Sequence, residues 1–526
     1  MSPRRHEVLF LGTLGVALAL VQSVHLTRPF LRQHESVGAE ISKHARNHLK
    51  FGLARTYGLK LDVSGPSLEP YGEYRRYFYS NHPPLPALIM AAAFQVLGVS
   101  EAAYRVVLIL FSLGSLVLFR RIAARLLPAP ADRAATVIFA AMPLFAYYSV
   151  VVGLFVMALT AILAAMLFYL RWRDGGGKGD YVGLLASMAF SCYCAWPGYY
   201  VALVLVAAHV RSGDPRTRAV LALVGWNVAI FSVYLLHLWM ASPPDLDPIR
   251  KLLAAGVDRA TPRGLSVLGY LFGEGRKGAL MMTVPALVLA AVGISGWRPG
   301  AITPNERLIA ALPLLGLDEL VFSRLASEHE YFGYPLAVFV ALAAGAGVAR
   351  ISTRLAAPMP RLAAVLVGLI LIQAGWMLQR RLTSEGGYVF YYRLGLALRD
   401  QVSPRSRVLL LTDNIPFYTP YYADLYTLWF DGNHRQLLTE DSGPHRKEFG
   451  EADLEALLET RPPPADVIVT AEKDSSVPKI PFLQRLNDAQ LRAFGVQTER
   501  GPLRLLLERT CGDPVEHAGF LFWTPK

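Results

Sequence analysis

Residues 31–53 read LRQHESVGAEISKHARNHLKFGL, and residues 77–90 read YFYSNHPPLPALIM. Both stretches belong to a polar segment that separates the first apolar block of the chain from the second. The segment begins with acidic and histidine side chains, continues with a helix-like pattern and returns to apolar sequence at His82-Pro83-Pro84-Leu85. This order is too regular for a spacer, and it predicts that the loop over residues 28–83 carries the chemistry of the protein.

The composition indicates an integral membrane protein. Of the 526 residues, 53% are hydrophobic and only 17% are charged, and the mean hydropathy is +0.34. The apolar residues come in long blocks rather than at amphipathic spacing, which is typical of membrane-spanning helices. The net charge of +12 lies largely in Arg and Lys at the ends of these blocks. Such charges set membrane topology, so they argue against nucleic acid as a partner.

Hydropathy predicts about eleven transmembrane helices. The first block, residues 8–27, follows Arg4 and Arg5 and lacks a good cleavage site, so we expect an uncleaved helix with a cytoplasmic N-terminus. Further candidate spans are 84–98, 102–119, 134–150, 152–171, 181–195, 197–210, 218–240, 279–296, 307–322, 331–349 and 361–379. The sequence leaves open which of the four blocks between 84 and 171 fails to cross, or whether two of them form one bent helix.

The distribution of Arg and Lys predicts the sidedness of the loops. Four basic loops are expected in the cytoplasm, namely 171–180, 210–218, 296–307 and 349–361. The 28–83 loop, the turn at Trp196-Pro197, the long loop 241–277, residues 323–331 and everything after residue 380 are then expected on the other side. The frequent Arg and Ala residues are typical of a GC-rich bacterium, in which these would be the inner membrane and the periplasm.

The C-terminal part of the chain has the patterns of a soluble domain. Residues 407–412 and 465–470 have the pattern of buried strands, 503–507 that of a third strand, and 451–459 that of a helix. The predicted organisation is a membrane domain over 1–379, which includes the 28–83 loop, and a small α/β domain over 380–526 on the non-cytoplasmic face. The fold class is therefore an α-helical polytopic membrane protein with a small extramembrane α/β domain.

Residues 36–51 have the pattern of an amphipathic helix. Its apolar positions recur at four-residue steps, at Val37, Ile41, Ala45 and Leu49. Glu40, His44 and His48 form a neighbouring stripe. The pattern predicts a helix on the membrane surface that walls a cavity open to both lipid and water. The spacing of the stripe also suits metal ligands, and a polar stripe at the headgroup level is the alternative.

Several motifs follow one another in an order that resembles the GT-C glycosyltransferases. In chain order they are His34-Glu35-Ser36-Val37-Gly38-Ala39-Glu40-Ile41, the turn at 49–52, His82-Pro83-Pro84-Leu85, Gly98-Val99-Ser100-Glu101 with Arg105, His329-Glu330-Tyr331 before Pro335-Leu336, and NIPFYTPY at 414–421. The order is similar to the branch of protein O-mannosyltransferases and lipid A aminoarabinose transferases. The resemblance implies an inverting transferase that moves a sugar from a polyprenyl phosphate to a lipid, glycan or protein acceptor outside the cytoplasm.

Such a displacement at the anomeric carbon needs a base for the acceptor hydroxyl and cations for the departing phosphate. Glu35 and Glu40 are the candidate carboxylates. The aspartate of the family motif falls on His34 in this sequence, so His34 or Glu35 would be the base, or the motif aligns in another register, or the chain has lost activity.

The candidate phosphate partners are His82, Arg75 and Arg76, with Arg32 as a further cation. The resemblance adds His329, Glu330 and Tyr331 as contacts of the donor or acceptor. Interfacial anchoring of the arginines and a polar turn at residues 329–331 are the alternatives.

No cofactor is expected beyond the polyprenyl-phosphate sugar itself. No metal ligands are assigned, and a divalent metal remains an open alternative. Two other functions stay open. A lipid-sugar flippase or transporter would show internal repeats and ionisable residues deep within its spans. A catalytically inactive scaffold with a GT-C-like chain would explain the histidine at position 34.

Overall fold

The computed structural model describes most of the chain up to residue 410 and parts of the remainder. The described residues are 3–32, 34–209, 216–260, 266–297, 302–323, 326, 329–354, 359–383, 389–410, 418–431, 436–437, 466–471, 507, 511–517 and 520–525. The predicted helix at 451–459 lies outside these residues, as do residues 503–506 of the third predicted strand and residues 414–417 of the aromatic motif.

Helices form almost the whole membrane part. In chain order they are α1 Pro3–Ser23, α2 Ser36–Phe51, α3 Leu53–Thr56, α4 Leu85–Leu97, α5 Glu101–Leu126, α6 Ala131–Ala141, α7 Pro143–Ala146, α8 Gly153–Arg173, α9 Lys178–Cys194, α10 Val201–His209, α11 Thr217–Ala241, α12 Pro248–Ala260, α13 Val267–Met281, α14 Val284–Ile294, α15 Pro304–Ala311, α16 Leu317–Val321, α17 Leu336–Arg354, α18 Met359–Thr383, α19 Val389–Gln401 and α20 Tyr418–Ala423. Short 3₁₀ turns join several of them, including Trp196–Tyr200 and Leu312–Gly316.

The chain is a multi-pass membrane protein. Among the described residues, six helices are long and apolar enough to cross a bilayer. Two bent pairs raise this number to eight if each is one span: Ala131–Ala141 with Pro143–Val150, bent by 54°, and Leu268–Met281 with Val284–Ile294, bent by 104°. The expected total of about eleven stays a prediction, because shorter apolar helices such as Leu85–Leu97 and Trp196–His209 fall below the length of a span.

All four loops that were predicted to be cytoplasmic contribute residues to one end of the helix bundle, and from the loop 210–218 Arg216 Nη1 donates to Arg173 O at 2.5 Å. Arg173 Nη2 donates to Asn305 Oδ1 at 2.9 Å, and Asn305 Nδ2 donates to Arg125 O at 3.1 Å. Residues 126–128, 173–174, 296–297 and 303–307, together with Ala349, Arg350 and Thr353, line one cavity there. We call this the basic end. The opposite end, which carries the 28–83 loop, is called the loop end.

Four apolar blocks lie between residues 84 and 171, and the structure places both ends of the first of them, α4, at the loop end. Before α4, Asn81 O accepts a hydrogen bond from Trp196 Nε1 at the loop end. After α4, Glu101 Oε1 accepts from Tyr422 OH at 2.8 Å, again at the loop end. The 13 residues of α4 extend over only about 20 Å, and the helix packs along α2. Both ends of helix α4 therefore lie at the loop end, whereas α5 and α8 each have the length and hydropathy of a full crossing.

Helix α2 is present where the sequence predicts it, but its polar face is buried by other parts of the chain. Most of its residues are buried, including Lys43, His44 and His48 from the polar and basic faces. Helix α4 covers one side of α2, and α20 covers another. The sequence pattern is amphipathic, but the polar face of the helix does not meet water. It contacts charged and hydrogen-bonding partners in the 28–83 loop instead.

The C-terminal part contains a mixed β-sheet. Its strands are β1 Arg407–Leu410, β2 Tyr426–Asp431, β3 Gln436–Leu437, β4 Val467–Ala471, β5 Val515–His517 and β6 Phe520–Trp523, in the order β3-β2-β1-β4-β6-β5. Strand β1 is parallel to both neighbours, and the edges are antiparallel. Helix α19 packs Leu394 and Leu398 against one side of the sheet. The domain boundary at 379/380 remains a prediction, and α18 continues through Thr383.

Candidate functional site

A cluster of aromatic and charged side chains surrounds His34 at the loop end. The ring of His34 lies 5.2 Å from that of His329, 5.0 Å from that of Tyr331 and 6.0 Å from that of Tyr148. The His34 and His329 Nδ1 atoms are 3.4 Å apart. These residues, with Lys277, Glu330 and Arg381, form what we call the His34 cluster. The first-loop motif and the motif at 329–331 are therefore neighbours in space.

His34 has an uncommon backbone conformation, and one of its ring nitrogens is buried without a hydrogen-bond partner among the described residues. Its φ of +70° lies in the left-handed region, which costs a non-glycine residue free energy and is often found at functional sites. The residue is only 6% exposed, and among the described residues its Nε2 has no hydrogen-bond partner. Burial, followed by the charges of His329, Arg381 and Lys277, holds the pKa of His34 well below its ordinary value. The imidazole is therefore neutral at pH 7 and can accept a proton.

Glu330 is held between a tyrosine and an arginine. Tyr148 OH donates to Glu330 Oε2 at 2.6 Å, and Arg381 Nη2 forms an ion pair with the same oxygen. Arg381 stands at the loop end of α18, and Lys277 stands in α13, where it forms an ion pair with Glu274 at 2.9 Å. Both cations act on His34 electrostatically. The cluster thus places a neutral imidazole near two cations, each of which is paired with a carboxylate.

Glu35 is occupied by structural hydrogen bonds. Its Oε2 accepts from the backbone N–H groups of Leu31 and Arg32 at 2.7 and 2.8 Å, and its Oε1 accepts from Arg105 Nη2 at 3.1 Å. Both charged side chains are buried. Arg105 also donates to the carbonyls of Leu26 and Arg28. This network ties the start of the first loop to α5, so Glu35 shapes the loop that carries His34.

Glu40 belongs to a second group, which we call the Lys60 cluster. The Lys60 ammonium lies 4.0 Å from Glu40 Oε1 and 4.1 Å from the centroid of the Tyr79 ring. Lys43 pairs with Asp62, and His44 Nε2 lies 3.8 Å from the same carboxylate. The rings of His44 and His82 lie 5.6 and 6.2 Å from that of Tyr79. Burial lowers the pKa of His44 to about 3, so it carries no charge here.

The two arginines predicted to bind phosphate have carboxylate partners of their own. Arg75 Nε donates to Glu73 Oε1 at 2.8 Å, and Arg76 forms an ion pair with Asp245. Arg32 contacts His25 and the carbonyl of Leu382. The structure therefore brings His34, His329, Glu330 and Tyr331 together, places Glu40 with His82, and pairs Arg75 and Arg76 elsewhere in the loop.

Comparisons with known proteins were made for the sequence and for the structure. No protein-family model and no curated protein matches the sequence. The structure is similar to ArnT from Cupriavidus metallidurans in the apo state, with a TM-score of 0.64 at 14% identity, over 89% of this chain and 94% of that chain. The same protein bound to undecaprenyl phosphate gives a TM-score of 0.61 at 13% identity, over 89% and 94% of the two chains. The chain has the GT-C fold.

Two further GT-C structures support this assignment of the fold. The oligosaccharyltransferase of Archaeoglobus fulgidus in its apo form has a TM-score of 0.55 at 11% identity, over 88% of this chain and 69% of that one. The mycobacterial arabinofuranosyltransferase AftD has a TM-score of 0.55 at 14% identity. All of this chain, but only 40% of AftD, is covered in that match. At these identities the likeness concerns the fold.

Sequence reasoning missed several members of the two clusters in this GT-C fold. Tyr148 lies in an apolar and aromatic run, and Arg381 follows Arg380 at a helix end, where it resembles a topology-setting charge. Lys277 lies in a segment that was predicted to be a loop and is part of α13. Lys60 and Asp62 belong to no recognisable motif. Only the fold brings these positions next to residues 34–48.

The polar stripe of α2 is not arranged as a metal site. His48 Nδ1 shares a hydrogen bond with Thr56 Oγ1 at 2.8 Å, and His44 points toward Asp62. Within the part of the chain that the structure describes, no group of three or more His, Cys, Asp or Glu side chains has a metal-binding arrangement. We therefore assign the stripe to the buried packing of the loop.

Proposed function

We propose that this protein is an inverting glycosyltransferase that moves a sugar from a polyprenyl phosphate to a hydroxyl-bearing acceptor at the loop end. In this reaction the bond between the anomeric carbon and the phosphate oxygen breaks, and a bond from the acceptor oxygen forms. The acceptor proton passes to the enzyme, and polyprenyl phosphate leaves. The observation that carries the proposal is the His34 cluster, in which a neutral buried base lies beside two cations within a GT-C fold.

His34 is the proposed proton acceptor. Its Nε2 has no partner in the described structure and its ring is neutral, so it is free to accept the acceptor proton. The protonated ring would be unfavourable beside Arg381 and Lys277 alone. A departing phosphate brings negative charge into the same cluster and offsets this repulsion, so proton transfer and phosphate departure favour one another.

Arg381 and Lys277 are the proposed partners of the donor phosphate. Each is less than a quarter exposed, and each already lies beside a carboxylate, Glu330 and Glu274 respectively. A guanidinium suits bidentate contact with phosphate oxygens, and an ammonium supplies a compact charge. Undecaprenyl phosphate is bound in one of the ArnT structures that share the fold, which supports a donor of this chemical class.

Glu35 is proposed as a positioning residue. It fixes the turn that holds His34 at positive φ, through the backbone of residues 31 and 32 and through Arg105. Glu40, His82 and Lys60 form a second polar wall on the same loop and are proposed to face the acceptor or the sugar. We further propose that the loop end is the non-cytoplasmic, periplasmic side of a bacterial inner membrane, with the N-terminus in the cytoplasm.

Sugar transfer by the purified protein tests this function. Detergent-solubilised protein is incubated with a panel of radiolabelled polyprenyl-phosphate monosaccharides and crude acceptor membranes. Release of labelled sugar from at least one donor is the expected result. If no donor is consumed while labelled lipid crosses the bilayer of protein-containing vesicles, the protein is a lipid-sugar transporter instead. If neither occurs, the chain is an inactive scaffold, and the transferase proposal fails.

A further inference from the structure

The basic end contains the large cavity of about 800 Å³ introduced above, on the side opposite the His34 cluster. Its wall combines the turn after α5, the end of α8, the end of α10, the start of α15 and the middle of α17. Leu126, Leu127, Ile309 and Trp297 supply an apolar part of the wall. The proposed transferase reaction does not use this space.

Two arginines of the cavity wall have no partner among the residues that the structure describes. Among the described residues, neither Arg307 nor Arg350 has a hydrogen-bond or ion-pair partner for its guanidinium, and Arg307 Nε is buried. A buried guanidinium nitrogen without an acceptor is unfavourable unless a ligand supplies one. Neither residue is simply a solvated charge at the end of a helix, because both are partly buried in the cavity wall.

The two carboxylates in the wall are already engaged. Glu306 Oε2 accepts from the Thr303 backbone N–H and from Thr303 Oγ1, both at 2.8 Å, and so caps α15. Asp174 Oδ1 accepts from Arg173 Nε at 2.9 Å. Arg173, Arg307 and Arg350 outnumber these two carboxylates in the wall, so the cavity has a net positive charge that favours an anionic ligand.

The Arg350 guanidinium lies against the backbone at Gly296. A Cβ atom at Gly296 would lie 0.9 Å from Arg350 Nη1, so only glycine leaves room for the guanidinium at its present position. Helices α14 and α17 also approach closely beside it, since a Cβ at Gly293 would lie 2.1 Å from Ala343 O. This close packing of small residues fixes the helix that carries Arg350.

We propose that the basic-end cavity binds a phosphate group through Arg307 and Arg350, either as the headgroup of an anionic lipid or as a free phosphate compound. The guanidinium groups supply the charge and the paired N–H donors that phosphate oxygens require. The apolar part of the wall accommodates the carbon skeleton attached to the phosphate. This site is separate from the His34 cluster, and the proposal stands whether or not the protein transfers sugars.

Binding to the purified full chain tests the proposal. The lipid arm uses nanodiscs or detergent with added phosphatidylglycerol or phosphatidylcholine of identical acyl chains, and native mass spectrometry counts the bound lipid. The soluble arm measures inorganic phosphate binding by isothermal titration calorimetry. The variants are Arg307→Gln with Arg350→Gln, and Gly296→Ala, which displaces the Arg350 guanidinium. Arg218→Gln, an exposed arginine at the start of α11, is the matched control for charge removal.

Tighter binding of phosphatidylglycerol than of phosphatidylcholine by wild type would identify an anionic lipid as the ligand. Binding of inorganic phosphate would identify a free phosphate compound. We expect one of these two results. The double arginine variant is expected to lose at least about tenfold in affinity for the probe that binds, whereas Arg218→Gln retains it. Because Arg307 and Arg350 have no protein partner to lose, the double variant should remain folded. Equal binding of both probes by wild type and the double variant overturns the proposal, as does an equal loss in Arg218→Gln.

Discussion

The Nδ1 atoms of His34 and His329 lie 3.4 Å apart, although the two residues are 295 positions apart in the chain. The contact joins the first extramembrane loop to the short segment between α16 and α17. It places a neutral histidine, two cations and two tyrosine rings in one cluster. The proposed proton acceptor and the proposed phosphate-binding cations both belong to this cluster.

The pH dependence of transfer should report the low pKa of His34. The base is active when neutral, and burial with its cationic neighbours holds its pKa well below 6.5. The value of kcat/KM is therefore expected to be flat between pH 6.5 and 8 and to fall only at more acidic pH. The donor is a phosphodiester and does not titrate in this range. A half-maximal rate at or above pH 6.5 would contradict the assignment of His34.

Glu35→Gln should lower the stability of the protein, because Glu35 is a positioning residue and not the proposed proton acceptor. The substitution leaves Arg105 buried without its carboxylate, and breaking such a pair typically costs about 3–5 kcal/mol. Thermal unfolding in detergent measures the effect. Glu73→Gln is the control, since Glu73 pairs with Arg75 at a more exposed position and such a pair contributes less than about 1 kcal/mol. If both variants melt like wild type, Glu35 does not position the loop.

Acid should weaken the folded state through His48. Burial lowers the pKa of His48 to about 4, below its ordinary value of 6.5, so the unfolded chain binds a proton first as the pH falls. Stability is then lost from pH 6.5 downward, by about 2 kcal/mol at pH 5 for this residue. His48→Asn keeps a hydrogen-bonding group near Thr56 and should remove this part of the loss in melting temperature between pH 7.5 and pH 5. His6→Asn, at an exposed position, should leave the loss unchanged.

Arg381→Gln should raise the KM for the donor by about tenfold or more, because a charged hydrogen bond to phosphate contributes roughly 1.5–3 kcal/mol. Lys277→Gln should have the same direction of effect. Arg380→Gln is the matched control, since its guanidinium is exposed and lies 5.9 Å over the Trp376 ring. Steady-state kinetics with varied donor distinguishes the three variants. An unchanged KM in Arg381→Gln, with a raised KM in Arg380→Gln, would reassign the phosphate site.

The sequence was sufficient for the class of fold. Long apolar blocks, basic loops and the ordered motifs predict a polytopic GT-C-like chain, and the structural comparisons confirm that fold. The strands β1 and β4 also lie where the sequence predicts strands. These features are local: a run of apolar residues or an alternating pattern is visible without knowledge of its neighbours.

The sequence was not sufficient where tertiary contacts determine the burial or the partner of a residue. Helix α2 has an amphipathic pattern, but α4 and α20 cover it, so its polar face is buried. Helix α4 is apolar enough to suggest a span, but it has only 13 residues and both of its ends lie at the loop end. Glu35 looked like a free carboxylate because its partner, Arg105, lies 70 positions away. Arg381 and Lys277 carry no local signal that separates them from topology-setting charges.

The most direct test of the central claim is the release of polyprenyl phosphate from a radiolabelled polyprenyl-phosphate sugar, measured for wild type, His34→Ala and Glu40→Gln. Wild type is expected to release it, and His34→Ala is expected to lose about 10²- to 10⁴-fold in rate while its melting temperature stays near that of wild type. Glu40→Gln is expected to retain more activity than His34→Ala. A His34→Ala variant as active as wild type would contradict the account.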